Sequence, residues 1–294
     1  MEIQWPLIVF TTFCCIAAGT LAFTSVAGML KGYEKTQYPG LITAFICAVI
    51  GGLASVFHLQ QPLNYFNQFG NLSSGINQEI ICLVIMCAMI AIYFYLWWRK
   101  HTLNKVVQVL SILSAILLIF IMGHSYMMDA RPNWNTPLLP IFYICEAAAI
   151  GSVIVAIMVS FLKLETAQVK RYALFAIIAI VVVAAAGSIY AGYMTTTGDS
   201  FTDVLHLDRE NDPPVDPASF GERFLTGDLA LLFWLGCVGV GFVIPLIAAI
   251  VAWRLPKYAR IALIVALVAL LAGGICYRVF IYASGGYIMT WRDS

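Results

Sequence analysis

The sequence has few charged residues, because Asp, Glu, Lys and Arg together make up 11% of its 294 residues. It has four histidines, and its eight cysteines include no Cys-x-x-Cys pair. So little charge at a mean hydropathy of +0.90 excludes a soluble enzyme, a nucleic-acid-binding protein and a disordered chain. The cysteine spacing indicates neither a disulfide framework nor a cysteine-ligated cluster.

Long apolar runs dominate the chain, since 62% of its residues are hydrophobic. Runs of about 20 residues or more are long enough for a helix to cross a bilayer, whereas the run 173–186 lacks the alternation of a barrel strand. We therefore predict an all-α polytopic protein, one integral membrane domain over 1–294, with a first span that is retained because no signal-peptide pattern precedes it. The eight predicted spans are approximately 6–30, 39–59, 77–98, 104–127, 138–162, 171–194, 227–253 and 257–284.

The distribution of Lys and Arg predicts the orientation, because basic loops stay on the cytoplasmic side. Eleven of the sixteen basic residues fall in the loops after spans 1, 3, 5 and 7. Both termini should therefore lie outside, on the periplasmic side of a bacterial inner membrane. The acidic loop 195–226 is then also periplasmic, and it either docks a partner subunit or is a solvated acidic loop.

Ionisable side chains within apolar spans are costly and are therefore candidates for a functional site. Here they cluster towards the outer face, and none lies in the inner half of a span. Glu146 and Arg278 are the deepest, about 12 and 10 Å from the outer ends of their spans. This one-sided pattern predicts one polar cavity near the outer face. The candidate residues are His58, Glu79, His124, Asp129, Glu146, Arg278 and, from the aromatic residues near the same face, Tyr282.

Each candidate also has a purely structural interpretation. Glu146 and Arg278 could form an interhelical ion pair, because neither charge is easily buried alone. Asp228 follows a Thr-Gly pair and could cap a helix. Tyr282 could belong to an interfacial aromatic belt, and His58 could simply hydrogen-bond at a helix end.

A hydrophobic two-electron, two-proton donor such as quinol fits this set of residues. It needs an apolar pocket, hydrogen-bond acceptors for its hydroxyl groups and a proton exit to water, which a histidine and a carboxylate near the surface can supply. The sequence carries no flavin, nicotinamide or iron–sulfur motif. We therefore expect the electrons to pass directly to an acceptor in a partner protein at the outer face.

The chain resembles the membrane anchor subunit of dimethyl sulfoxide reductase and related molybdenum oxidoreductases. The resemblance rests on an ordered series of segments. These are WPLIVFT at 5–11, HLQQP at 58–62, NQEI at 77–80, PNWNTP at 132–137 and RVF at 278–280. The family commonly has an acid just before the arginine of the last segment, where this chain has Gly273 and Gly274. Glu146 is our candidate for the missing partner acid.

The resemblance implies a subunit of an anaerobic respiratory complex that oxidises quinol, in particular menaquinol, near the periplasmic face. It implies a ferredoxin-like iron–sulfur subunit as electron acceptor and a molybdopterin subunit that reduces the terminal acceptor, with no cofactor held by this chain. It places His58 as first proton acceptor, Glu79 as a relay to water and Arg278 as an electrostatic anchor. His124, Asp129, Glu146 and Tyr282 complete the expected quinol site.

Two other functions remain open from the residues. A b-type cytochrome would need facing histidines, and since His58 and His124 both lie near the outer level, one haem at most would fit. A secondary transporter would need polar groups or broken helices at the midplane, where Pro245 is the only deep proline.

Overall fold

The computed structural model describes residues 4–57, 74–100, 104–128, 131, 133–196 and 219–284. Over these ranges the chain is helical and contains no strand. Eight of its helices are long and apolar enough to cross a membrane, which confirms the predicted number of spans and an integral multi-pass protein. In chain order, the elements are α1 (Trp5–Met29), a 3-10 turn (Glu34–Thr36), α2 (Gln37–Phe57), α3 (Gly75–Lys100), α4 (Lys105–His124), α5 (Leu138–Phe161), α6 (Thr166–Thr196), α7 (Ser219–Leu225), a π-helical segment (Leu232–Val243), α8 (Ile244–Arg254), a second 3-10 turn (Pro256–Tyr258) and α9 (Ala259–Ser284).

Consecutive spanning helices run in opposite directions, so the bundle has two distinct ends. At the near end, where α1 begins, the first turn of α3 contacts the end of α4 through Glu79 and Ser125. At the far end, where α1 ends, the start of α9 meets the end of α5, and the Arg260 Nε donates to the Ser160 carbonyl at 3.1 Å. The predicted site residues that the structure describes belong to the near end; they are Glu79, His124, Glu146, Arg278 and Tyr282.

Helices α1 and α5 form the centre of the bundle, and most of their apolar residues are buried. They cross where Gly19 faces Gly151, so closely that a Cβ atom on Gly19 would overlap the carbonyl oxygen of Ala147. Glycine is required there because the two backbones are in direct contact. α1 also packs on α2 and α4, and α5 packs on α6 and α9, so this crossing joins two helix groups.

The seventh span begins as a π-helix and becomes an α-helix at Ile244. At this transition, the Ile244 amide donates to the Gly239 carbonyl, a bond of the i to i−5 type. Pro245 follows, and because proline has no N–H it cannot donate to the carbonyl four residues earlier. Gly241, just before the transition, packs backbone to backbone on Gly273 of α9.

A buried set of neutral polar side chains ties four helices together at the far end. The Tyr93 hydroxyl donates to Gln37 Oε1 at 2.7 Å, and Gln108 Nε2 donates to the Tyr93 hydroxyl at 3.1 Å. Gln37 Nε2 in turn donates to the Thr24 carbonyl at 3.2 Å. These side chains converge over Gly28 of α1, where a Cβ atom would overlap them. Charge patterning could not reveal this cluster, because none of its members is charged.

Candidate functional site

Glu79 is buried in the first turns of α3 with only 7% of its surface exposed. Its Oε1 accepts a hydrogen bond from the hydroxyl group of Ser125, the residue that follows the end of α4. The two helices approach closely because Gly75, at the start of α3, packs on the Cβ atom of Ser125. A carboxylate buried in this way needs such a donor, since an unpaired charge away from water is strongly disfavoured.

Glu79 lines a cavity of about 330 Å³ at the near end of the bundle. Helices α1 to α3, the residues that follow α4, the segment before α5 and the end of α9 all contribute to its wall. The volume falls in the range typical of small-molecule sites, and the wall is mostly apolar with a few polar groups, as such sites usually are. The polar and aromatic residues that line it include Gln4, Ser55, Glu79, Ser125, Tyr126, Arg131, Trp134 and Tyr282.

Tyr126 carries a buried hydroxyl group that has no hydrogen-bond partner among the described residues. The residue lies just beyond the end of α4. A tyrosine phenol has an ordinary pKa of about 10, so at neutral pH it keeps its proton and can donate a hydrogen bond. A buried polar atom without a partner costs free energy, so this hydroxyl is available to a ligand or a water molecule.

Trp134 lines the cavity and contacts other residues of its wall. Its indole Nε1 donates to the Ile281 carbonyl of α9 at 3.0 Å, and its ring meets Tyr282 edge to face at 5.4 Å between centroids. The Arg131 guanidinium lies over the same ring, 4.1 Å from its centroid. These contacts hold the segment before α5 against the end of α9. Tyr282, a predicted site residue, lines the cavity.

Arg278 and Glu146 form a fully buried ion pair between α9 and α5, with Nη1 2.6 Å from Oε1. This confirms Glu146 as the partner acid of Arg278. The guanidinium also donates from Nε to Thr11 Oγ1 at 2.8 Å, from Nη1 to the Gly274 carbonyl at 3.1 Å and from Nη2 to Cys15 Sγ at 3.4 Å. A buried pair tolerates its desolvation only with such additional hydrogen bonds.

A second, much smaller cavity of about 10 Å³ separates this ion pair from the large cavity. Arg278 and Thr11 line only the small cavity, whereas Tyr126, Trp134 and Tyr282 line both. The two cavities are therefore divided by a wall of three aromatic side chains. The ion pair lies behind the candidate site and does not line the large cavity.

The structure brings Glu79 and Tyr282 together in one cavity and places Arg278 and Glu146 behind it. The His124 side chain is exposed, stacks on Phe120 and is not part of the cavity wall. His58 and Asp129 lie outside the described residues, although Ser55, three residues before His58, lines the cavity. Within the described ranges, no group of three His, Cys, Asp or Glu residues could hold a metal ion.

Sequence reasoning did not propose Ser125, Tyr126, Arg131 or Trp134 as site residues. The only signal for them was their position beside His124 and in or next to the PNWNTP segment. Asp228, which could cap a helix, forms an exposed two-point ion pair with Arg223, with oxygen–nitrogen distances of 2.9 and 2.8 Å.

Comparison with known proteins identifies relatives of the whole chain and of parts of it. The family model described as Polysulphide reductase, NrfD matches residues 1–289. The chain is 24% identical to anaerobic dimethyl sulfoxide reductase chain YnfH of Escherichia coli (strain K12). The alignment spans 164 residues and covers 52% of this chain and 56% of that protein. Over 142 residues it is 29% identical to the anaerobic dimethyl sulfoxide reductase C chain of Haemophilus influenzae, which covers 46% of this chain and 51% of that protein.

A third relative matches along nearly the whole chain. The polysulfide reductase C chain of Wolinella succinogenes is 21% identical over an alignment of 322 residues, which covers 96% of this chain and 93% of that protein. The matches to the two dimethyl sulfoxide reductase chains, in contrast, span about half of their length.

Proposed function

The chain belongs to the polysulphide reductase, NrfD family, and we propose that it is the single-domain membrane anchor of a respiratory molybdoenzyme complex that oxidises a quinol. The observation that carries the proposal is the cavity of about 330 Å³ at the near end, with the buried carboxyl group of Glu79 in its wall. The cavity has an apolar lining for a quinol ring together with acceptor and donor groups for the ring oxygens.

Oxidation of one quinol releases two protons and two electrons and leaves a quinone. His58 is the proposed first proton acceptor, because a neutral histidine side chain can accept a proton near physiological pH. Glu79 relays protons to water at the near end, and the Ser125 hydroxyl holds its carboxylate in position. The electrons pass to an iron–sulfur subunit, and a molybdopterin subunit uses them to reduce the terminal acceptor.

The proposed orientation puts the near end on the periplasmic side of the bacterial inner membrane. Eleven of the sixteen Lys and Arg residues fall in the loops at the opposite end, where the positive-inside rule expects them. The iron–sulfur subunit would then dock on the periplasmic face, with the acidic segment 195–226 as the proposed contact. The names of two relatives, the C chains of dimethyl sulfoxide reductase and of polysulfide reductase, support a role within a multi-subunit reductase.

A first experiment asks which partners accompany the chain. The tagged protein is purified gently from its native membrane, and the preparation is analysed for molybdenum and iron and by a reduced-minus-oxidised visible spectrum. Molybdenum and iron without a haem band are expected. A haem band would favour the single-haem alternative, and a metal-free chain that catalyses uptake in proteoliposomes would favour a transporter.

A second experiment tests the site itself by the substitution Glu79→Gln. We expect a loss of quinol-dependent turnover of about a hundredfold, because the amide cannot accept a proton. Turnover with an artificial donor that feeds the partner subunits directly should not change. Glu165→Gln is the matched control, because Glu165 is exposed at the far end. Quinol turnover near the wild-type rate in Glu79→Gln would refute the proposed site.

A further inference from the structure

The Arg278–Glu146 pair lies too far behind the large cavity to line it, yet Arg278 has one N–H group left over. An arginine side chain carries five N–H donors and no acceptor. Its hydrogen bonds to Thr11, Glu146, Gly274 and Cys15 use one on Nε, two on Nη1 and one on Nη2. Among the described residues, the second Nη2–H group therefore remains available to an acceptor.

The unpartnered hydroxyl of Tyr126 and the guanidinium of Arg278 line the same small cavity. Its volume is about 10 Å³. A cavity that holds one water molecule needs a volume of roughly 10–15 Å³, measured in the same way, and two to four polar partners for the water. Thr11, Tyr143 and Tyr282 complete the polar part of its wall. The cavity thus has the size and the chemistry of a site for a single water molecule.

We propose that one water molecule occupies this cavity, bridges Arg278 and Tyr126, and makes Arg278 a positioning residue for the quinol site. The inference rests on the proposed function and deepens it. Because arginine can only donate, the water accepts a hydrogen bond from Nη2. The water then donates to the Tyr126 oxygen, so the Tyr126 hydroxyl points its own proton into the large cavity.

In this arrangement, one wall of the large cavity accepts a hydrogen bond from the quinol and another wall donates one to it. Glu79, which already accepts from Ser125, accepts a hydrogen bond or a proton from one quinol hydroxyl. Tyr126 donates to the other ring oxygen. When the quinol loses its first proton, the negative charge on its ring oxygens is stabilised by Tyr126. The water connects that phenol to the positive charge of Arg278, which never contacts the substrate.

The water can be tested directly in the assembled wild-type complex by X-ray radiolytic labelling, in which side chains beside bound water react with hydroxyl radicals. We expect rapid labelling of Tyr143, a buried residue that lines the small cavity and not the large one. A Tyr143 that stays unlabelled would overturn the proposal. This measurement needs neither turnover nor a variant, so its outcome does not depend on whether the complex oxidises quinol.

The functional role of the water is tested by filling its cavity. Leu139, which also lines the cavity, is replaced in Leu139→Phe, and Leu263→Phe adds the same volume at a buried site at the far end. We expect Leu139→Phe and Tyr126→Phe each to lower quinol-dependent kcat about tenfold, with a smaller effect on KM. Turnover with an artificial donor should not change, and Leu263→Phe should match the wild type.

The double variant Tyr126→Phe/Leu139→Phe distinguishes a water-mediated role from simple packing. If the water acts only through Tyr126, the double variant should be no slower than Tyr126→Phe alone. Losses that add up, or a wild-type rate in a Leu139→Phe variant that no longer labels at Tyr143, would overturn the proposal. If the wild-type complex does not oxidise quinol at all, it is the proposed function that fails.

Discussion

The carboxylate of Glu146 lies directly over Gly274, four residues before its ion-pair partner Arg278. A Cβ atom on Gly274 would overlap Glu146 Oε1. The resemblance found in the sequence implies an acid just before this arginine, on the same helix. In this chain the acid comes from α5 instead, and Gly274 leaves the space that it occupies.

The close contact between Glu146 and Gly274 predicts a specific effect of adding one methyl group. Gly274→Ala should displace the carboxylate and destabilise the protein by about 3 kcal/mol, the lower bound for a broken buried ion pair. Thermal unfolding of the purified protein, followed by intrinsic fluorescence, measures the change. Gly192→Ala is the matched control, because a Cβ atom there would have no neighbour within 4 Å. Equal stability of the two variants would contradict the prediction.

Removal of one charge from the buried pair should cost more than removal of both. Glu146→Gln leaves the Arg278 guanidinium buried without its counter-ion, and we expect a loss of about 3–5 kcal/mol of stability. Glu146→Leu/Arg278→Met removes both charges and should recover most of this loss. The double variant should regain stability but not the wild-type rate of quinol oxidation, because it lacks the charge behind Tyr126. Thermal unfolding and quinol kinetics of the same preparations separate stability from function, and a double variant less stable than the single one would refute the argument.

Ser125 should support the function of Glu79 without being essential for the fold. Ser125→Ala removes the hydroxyl that donates to the buried carboxyl group, and we expect quinol-dependent turnover to fall about tenfold, since a buried acceptor that loses its donor costs about 1–3 kcal/mol. Ser152→Ala is a suitable control, because Ser152 is buried but donates only within its own helix, to the Ala149 carbonyl at 2.9 Å. A similar loss in both variants would mean that Ser125 has no special role.

The exposed pair of Arg223 and Asp228 predicts a response to acid at the near end. The hydrogen bonds from Arg223 hold the pKa of the Asp228 carboxyl below its usual value. A group with a lowered folded-state pKa stabilises the folded state above its unfolded-state pKa, which is about 4. That contribution is lost as the pH falls through the folded-state pKa. The protection factors for hydrogen exchange in α7, which are corrected for the intrinsic pH dependence of amide exchange, should therefore be the same at pH 7 and pH 5 and fall only below about pH 4.

The substitution Asp228→Asn supplies the control for this acid response. It should remove the pH dependence of the protection factors in α7 and leave overall stability almost unchanged, because exposed ion pairs contribute little. An equally strong acid response in Asp228→Asn would show that another group is responsible.

The sequence was sufficient to predict the eight spans, because runs of apolar residues long enough to cross a bilayer are rare outside membrane proteins. Glu79 and the Glu146–Arg278 pair were also predictable, since charges are rare within such runs. Ser125 and Tyr126 were not, because their roles depend on how the end of α4 meets α3 and α9. The seventh span shows the same limit, since Pro245 indicated a disturbed helix but not twelve residues of π-helix before it.

The direct backbone contact between α1 and α5 at Gly19 and Gly151 has a consequence for electron transfer. With no side chains between the two backbones, the helix groups that they join have little freedom to slide or tilt against each other. The walls of the large cavity come from both groups, so the contact also fixes the cavity relative to the near-end surface. The rate of electron tunnelling through protein falls steeply with distance. A rigid crossing at the centre of the bundle would therefore set the tunnelling distance from a bound quinol to a docked partner.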